Sequence, residues 1–163
     1  MHLSKQSDAQ WLVHDSLLVT AEWHGGRSAA FCDEGEPHDY SRLLDDALRL
    51  ARGLQDLGLE RGDRVVIHME NSWPCLVSIF GTLLAGGVFV VVNPQTKADK
   101  LAYILTDSEA RFLLTQEHLA QTSKASVAAF PVLRAVICAS VSRSAMVTGL
   151  SSALSSTATP RRK

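Results

Sequence analysis

The sequence predicts an α/β protein with a largely parallel β-sheet and flanking helices. Segments whose apolar residues recur every three or four positions alternate with short runs of β-branched residues. The first pattern is typical of amphipathic helices and the second of buried strands. Glycines follow two of the helical segments, where they stop a helix. Strands that alternate with helices build βαβ units, and the strands of such units are parallel.

The N-terminal part of the chain contains two predicted helices. An amphipathic segment covers residues 10–23, and residues 29–32 are compatible with a short strand. The second helix carries apolar residues at spacings of three and four, namely Leu43, Ala47, Leu50, Leu54 and Leu57. Ser41 is its predicted N-cap, and Gly58 is its predicted stop.

A strand and a third helix follow. The β-branched run at residues 65–67 predicts a short buried strand. Asn71 or Ser72 caps the next helix, and Pro74 lies in its first turn. Its apolar face consists of Leu76, Val77, Ile79, Phe80, Leu83 and Leu84.

The same alternation continues towards the C-terminus. Gly86 and Gly87 stop the third helix, and residues 88–92 are apolar on both sides, which predicts an inner strand of a covered sheet. We further predict a helix near residues 98–106, a strand at 111–114, a weak helix near 117–128 and a strand at 133–138.

Charge and composition exclude several classes of function. The 163 residues include 16 Lys and Arg against 17 Asp and Glu, so no basic surface for nucleic acid is predicted. The longest apolar stretch, residues 79–92, is too short and too interrupted by glycine to span a membrane. Three cysteines without a C-x-x-C pair favour a reducing compartment. The N-terminus lacks a secretory signal, so we expect a cytoplasmic protein.

The end of the chain differs in composition from the rest. Residues 139–163 hold seven serines, three threonines and four basic residues but no acidic residue. Such a segment has too little apolar surface to offset the entropy lost on ordering. We therefore expect one α/β unit over residues 1–138 and a mostly disordered Ser/Thr-rich tail over residues 139–163.

Candidate site residues follow the predicted strands, because ligands of open parallel sheets bind at the carboxyl ends of strands. These residues are His68, Met69 and Glu70, Asn93 and Pro94, and Thr115 and Gln116. His68 is the candidate for a catalytic base, but no carboxylate or nucleophile is tied to it by spacing. We interpret His68 as structural, Asn93-Pro94 as a loop turn and Gln116 as the start of a helix.

Other motifs that carry chemistry are not found. Gly86 and Gly87 follow a helix rather than a strand, so they predict a helix C-cap and not a phosphate loop. The sequence has no G-x-G-x-x-G, no G-x-x-x-x-G-K-[ST] and no G-x-S-x-G motif. Its six histidines show no metal-ligand spacing.

Four stretches in register resemble the N-terminal part of the AMP-forming adenylating enzymes. They are residues 39–44, 57–65, 84–94 and 101–108, and the likeness runs through residues 10–138. This family comprises acyl-CoA synthetases, aryl-CoA ligases and the adenylation domains of nonribosomal peptide synthetases. The first and third stretches are similar to its first two core motifs.

The resemblance implies a two-step reaction for a full-length family member. A carboxylate attacks the α-phosphate of ATP, with Mg²⁺, to give an acyl-adenylate and pyrophosphate. The thiol of CoA, or of a carrier protein's phosphopantetheine, then takes the acyl group. The carboxylic acid is the implied substrate, and its identity stays open.

The residues that carry this chemistry in the family map to no position of this chain. In place of the family's glycine-rich phosphate loop stand residues 155–163, which contain no glycine. We therefore assign no catalytic, cofactor-binding or metal-binding residue, and expect no bound cofactor for this chain alone.

Two functions are open. The first is the N-terminal fragment of an acid–thiol ligase, inactive alone. The alternative is a non-catalytic α/β interaction module that associates with a full-length ligase or another partner. In a shortened chain the apolar face of residues 76–84 is left partly uncovered, which favours self-association.

Overall fold

The computed structural model of the protein describes residues 12–30, 37–128, 133–139 and 149–150. The helices are Val13–His24 (α1), Tyr40–Asp56 (α2), Trp73–Leu84 (α3), Ala98–Asp107 (α4) and Ala120–Ala128 (α5). The strands are Ser28–Ala30 (β1), His38–Asp39 (β2), Arg64–His68 (β3), Val88–Val92 (β4), Phe112–Gln116 (β5), Ala135–Ala139 (β6) and Gly149–Leu150 (β7). One turn of 3₁₀-helix, Glu117–Leu119, precedes α5.

The main sheet confirms the predicted fold class. Its strand order is β4-β3-β5-β6-β7, and the four strands from β4 to β6 run parallel. The short β7 pairs antiparallel with β6. β1 and β2 form a separate antiparallel pair. Strand β1 ends at Ala30, and Cys32, the last residue of the strand predicted at 29–32, lies outside the described residues.

Helices cover both faces of the sheet because its central strands are apolar on both sides. Val65 and Ile67 of β3 belong to a buried cluster that α1, α2 and α3 complete. Val66, between them, belongs to a second cluster with residues of α4, such as Leu101 and Leu105. Successive side chains of a strand point to opposite faces, so the uninterrupted apolar run places each face of β3 against its own layer of helices.

The ends of α2 show which capping residues the chain uses. The N-cap is Asp39, whose Oδ1 accepts a hydrogen bond from the backbone N–H of Arg42 at 2.8 Å. The prediction of Ser41 was therefore wrong, because the helix begins at Tyr40 and the capping carboxylate of Asp39 lies one residue before it. Gly58 ends the helix as predicted, with a φ of +85° that glycine adopts without strain.

Strand β4 corrects another expectation. Its apolar sequence predicted an inner strand, but β4 lies at one edge of the sheet, with β3 as its neighbour. Val88 is 48% exposed, Phe89 37% and Val91 49%. An apolar strand sequence shows that both faces can be buried, but it does not show on how many sides the strand is paired.

Strand β6 runs to Ala139, one residue beyond the predicted end of the α/β unit at residue 138. Within the segment predicted to be a disordered tail, Gly149 and Leu150 form β7, which pairs with Cys138 and Ile137 of β6. The other residues of the predicted tail after Ala139 lie outside the described residues.

Candidate functional site

The carboxyl edge of the sheet contains the point at which the order of the strands reverses. The chain passes from β3 through α3 to β4 on one side, and from β5 through α5 to β6 on the other. In such sheets the crevice between the two diverging connections is the usual ligand position. Here that crevice lies between the carboxyl ends of β3 and β5, where His68, Thr115 and Gln116 meet, whereas Asn93 and Pro94 follow the edge strand β4.

His68 is the last residue of β3 and is fully buried. Its Nε2 lies 3.1 Å from the carbonyl oxygen of Pro94, and its Nδ1 lies 3.4 Å from Oγ of Ser123 on α5. Burial lowers the pKa of His68, the bond to Pro94 opposes this shift, and the charge of His118 adds to it. The ring is buried with both nitrogens engaged, an arrangement that supports the interpretation of His68 as a structural residue.

Ser123 continues this network towards β5. Its Oγ lies 2.9 Å from Oγ1 of Thr115, and both hydroxyl groups are buried. Thr115 is paired with His68 in the parallel register of β5 and β3. The serine of α5 therefore joins the ends of two neighbouring strands through side chains alone.

Gln116 fills the reversal crevice itself. Its Oε1 accepts a hydrogen bond of 2.8 Å from the backbone N–H of Glu70, and its Nε2 donates one of 3.1 Å to Oγ of Ser72. Ser72 in turn donates to the carbonyl of Glu70. Ser72 occupies the N-cap position of α3, as one of the two predicted alternatives, but its hydroxyl serves this bridge and makes no capping bond.

Three further titratable side chains lie at this edge, those of Glu70, His118 and Cys138. His118 Nε2 and a carboxylate oxygen of Glu70 are 3.5 Å apart, and both side chains are about half exposed. Cys138 lies near the carboxyl end of β6, and burial, followed by the charge of Glu117, raises the pKa of its thiol. A raised pKa keeps the thiol protonated at neutral pH and argues against a nucleophilic role.

A groove with a volume of about 370 Å³ lies beside the loop that follows β4. It is lined by Asn93, Gln95, Thr96, Lys97, Asp99 and Lys100. The loop is held internally by Asn93, whose Oδ1 accepts from the N–H of Gln95 and whose carbonyl accepts from the N–H of Thr96. Two lysine ammonium groups against one carboxylate give the groove a net positive charge.

The glycine pair confirms its predicted role at the end of α3. Gly86 has a φ of +89°, and the N–H groups of Gly86 and Gly87 donate to the carbonyls of Leu83 and Thr82. These bonds close the last turn of the helix. The glycines precede β4 at the amino edge of the sheet, far from the position that a phosphate loop takes after a strand.

No group of three or more His, Cys, Asp or Glu side chains suited to a metal ion occurs among the described residues. Within the same residues, no helix is long and apolar enough to cross a membrane.

The positions of the strand-end residues were predicted correctly from the sequence, but the hydrogen bonds that join them were not. His68, Thr115 and Gln116 come together at one edge, as parallel strands require. Ser123, the residue that joins two of them, was missed because it lies in a helix with a weak apolar pattern. The spacing of Ser123 and Ser126, both buried, is the signal that α5 turns a polar face inward.

A sequence model of the family described as "AMP-binding enzyme" matches residues 19–160. The chain is 37% identical over 95 residues to tyrocidine synthase 3 of Brevibacillus parabrevis, which covers 58% of this chain and 2% of that protein. It is 36% identical over 85 residues to a long-chain-fatty-acid–CoA ligase of Bacillus subtilis (strain 168), which covers 52% of this chain and 15% of the ligase.

Solved structures show the same architecture. A benzoate CoA ligase from Burkholderia xenovorans LB400 superposes with a TM-score of 0.73 and 26% identity, over 79% of this chain and 26% of the ligase. An anthranilate CoA ligase in complex with anthranoyl-AMP gives a TM-score of 0.76 at 21% identity, over 85% of this chain and 26% of that one. The chain thus spans at most about a quarter of the proteins named here.

Proposed function

This chain belongs to the AMP-binding enzyme family, to the N-terminal part of its adenylate-forming ligases, and from that premise we propose that it is the N-terminal segment of an ATP-dependent acid–thiol ligase that is inactive alone. The ligase would join a carboxylic acid to CoA or to a carrier protein's phosphopantetheine through an acyl-adenylate.

The observation that carries this proposal is the match of the parallel sheet and its helices to a benzoate CoA ligase over 79% of this chain and only 26% of the ligase. This partial coverage supports the proposal that the segment corresponds to a scaffold within a longer enzyme. The named relatives include CoA ligases and tyrocidine synthase 3, so the class of thiol acceptor stays open.

The described residues do not fit the triphosphate of ATP. A phosphate cradle needs backbone N–H groups after a strand, at the start of a helix. The glycine pair of this chain ends a helix instead, and the reversal crevice is filled by Gln116. His68 is buried with both ring nitrogens engaged. No step that uses ATP or Mg²⁺ is therefore assigned to these residues.

A pyrophosphate-release assay tests the inactivity of the isolated chain. Purified protein is mixed with ATP, Mg²⁺ and a panel of aliphatic, aromatic and amino acids, with a full-length CoA ligase as the positive control. We expect no release above the rate without protein. Acid-dependent release by the purified chain would overturn the proposal of inactivity.

The origin of the segment has a separate test. Sequencing of the coding region downstream of Lys163 is expected to find a glycine-rich phosphate loop of the adenylating type, in the same or a shifted frame. Unrelated sequence in all frames would contradict the ligase origin. We propose the α/β unit as residues 1–138 and residues 139–163 as a Ser/Thr-rich tail, of which Ala139 ends β6 and Gly149 and Leu150 pair with that strand.

We propose the cytoplasm as the location, because ATP and CoA are plentiful there. The two cysteines of the described residues, Cys75 and Cys138, are free thiols, which agrees with a reducing compartment. A cell-fractionation experiment checks this, and recovery in a secreted fraction would contradict it.

A second candidate, a non-catalytic interaction module, is favoured by the uncovered strand β4. This edge strand carries no charge, proline or bulge, the devices that usually protect a sheet edge from pairing. We propose self-association through it. Val91→Lys is expected to lower the sedimentation-derived mass of the purified chain, while Tyr103→Lys, at a still more exposed large residue of α4, leaves it unchanged. A monomeric wild-type chain would contradict self-association.

A further inference from the structure

We propose that neutral His68, with its hydrogen on Nε2, is the positioning residue for the loop at residues 93–97 and for the groove that this loop borders. The loop follows the edge strand β4, and its internal hydrogen bonds are local ones to Asn93. Among the side-chain hydrogen bonds of the described residues, the bond from His68 to Pro94 is the one that joins this loop to another strand.

The partners of the ring determine which nitrogen carries the hydrogen. The carbonyl oxygen of Pro94 can only accept a hydrogen bond, so Nε2 of His68, at 3.1 Å, must be the donor. In a neutral ring the other nitrogen then has no hydrogen. Nδ1 of His68 therefore accepts a hydrogen bond from the hydroxyl of Ser123.

The hydroxyl groups of Ser123 and Thr115 both donate their hydrogen in the direction of the imidazole ring. Since Ser123 donates to His68, its oxygen accepts from the hydroxyl of Thr115 at 2.9 Å. Ser126, three residues further along α5, differs because its hydroxyl donates to the carbonyls of Thr122 and Ala98. Ser123 makes no such backbone bond, and its hydrogen is free for the imidazole.

This arrangement supports the loop from the interior of the protein. The hydroxyl of Ser123, bonded in turn to Thr115, occupies Nδ1, and the ring presents Nε2–H to Pro94. The groove beyond Pro94 carries the ammonium groups of Lys97 and Lys100. A role of this groove in a ligase depends on the function proposed above. The positioning of the loop by His68 does not depend on that function.

Two conservative variants of the full 163-residue chain separate the two hydrogen bonds of the ring. In His68→Gln, the amide nitrogen reaches the place of Nε2 and can donate to Pro94. In His68→Asn, the shorter side chain reaches the place of Nδ1 and loses Pro94. Ser123→Ala is the matched control, because it removes the partner of Nδ1 and leaves the bond to Pro94.

The experiment is heteronuclear NMR of labelled protein, which reads the ring nitrogens and the backbone amides directly. In the wild-type chain, long-range correlations are expected to show the hydrogen of His68 on Nε2. In His68→Asn, hydrogen exchange of the Thr96 amide is expected to accelerate about tenfold, the effect of one lost hydrogen bond. In His68→Gln and Ser123→Ala it should stay within about twofold of the wild type.

Each alternative result overturns the proposal. A hydrogen on Nδ1 in the wild-type chain contradicts the assigned bond to Pro94, and this measurement does not require any variant to fold. Equal acceleration in the glutamine and asparagine variants would show that only the size of the side chain matters. Unchanged exchange in His68→Asn would show that the loop is held without His68. None of these readouts depends on ligase activity.

Discussion

The two ends of the parallel sheet are held by different kinds of interaction. At the carboxyl edge, His68, Thr115 and Gln116 are buried and joined by hydrogen bonds between neutral groups. At the amino edge, three arginines at the starts of β3, β5 and β6 bind the neighbouring turns. They are Arg64 with Glu109, Arg111 with Asp63, and Arg134 with Glu60.

The difference lies in how much water each edge retains. Glu109 is 83% exposed and Glu60 77%, so solvent and salt compete for the ion pairs of the amino edge. A buried polar group has no such replacement partner and loses free energy when its bond is removed. We therefore expect substitutions at the carboxyl edge to cost more stability than those at the amino edge, although the amino edge has the three arginine ion pairs.

The largest effect is expected for Gln116→Leu. Leucine fills a similar volume but leaves the N–H of Glu70 without its acceptor and Ser72 without its donor, and both of these hydrogen bonds are partly buried. We expect the free energy of unfolding to fall by about 2 kcal/mol. Urea denaturation followed by circular dichroism measures it. The control is Gln121→Leu on the exposed side of α5, which should change it by less than about 0.5 kcal/mol. Equal losses in both variants would remove the assigned role of Gln116.

The next effect is a pH dependence that arises from His68. Burial lowers its pKa in the folded state below the ordinary value of 6.5, so below that pH the unfolded chain binds a proton that the folded chain does not. Stability should therefore fall as the pH decreases from 6.5 towards the lower folded-state pKa, and this part of the dependence should vanish in His68→Gln. Urea midpoints on both sides of this pH check it, and an identical decline in the variant would contradict the assignment.

The same contrast explains which features could be predicted from the sequence. The parallel sheet and the strand-end positions of His68 and Gln116 follow from local patterns, because each strand is an apolar run with a polar residue at its end. The partner of His68 on α5 is 55 residues away, and no local pattern connects the two. The edge position of β4 also depends on what lies beside it, which composition does not encode.

A smaller effect is expected at Glu109, the one described non-glycine residue with a positive φ, +49°. It follows α4, where the N–H groups of Glu109 and Ala110 close the last turn onto Thr106 and Leu105. Glu109→Ala and Glu109→Gly both remove the ion pair with Arg64, but only glycine relieves the left-handed conformation. We expect the glycine variant to be more stable than the alanine variant by about 1 kcal/mol in thermal unfolding. Equal stability would show that the turn is unstrained.

The smallest effect is expected for Arg111→Met at the amino edge. The ion pair of Arg111 with Asp63 spans 3.9 Å, Arg111 is 41% exposed, and methionine retains an unbranched apolar stem. Because the pair is long and water can take the place of the guanidinium beside Asp63, the loss should stay below about 0.5 kcal/mol at low salt and disappear at high salt. Urea midpoints at two salt concentrations measure it. A salt-independent loss as large as that of Gln116→Leu would mean that the amino edge is as dry as the carboxyl edge, and the contrast between the two edges would then fail.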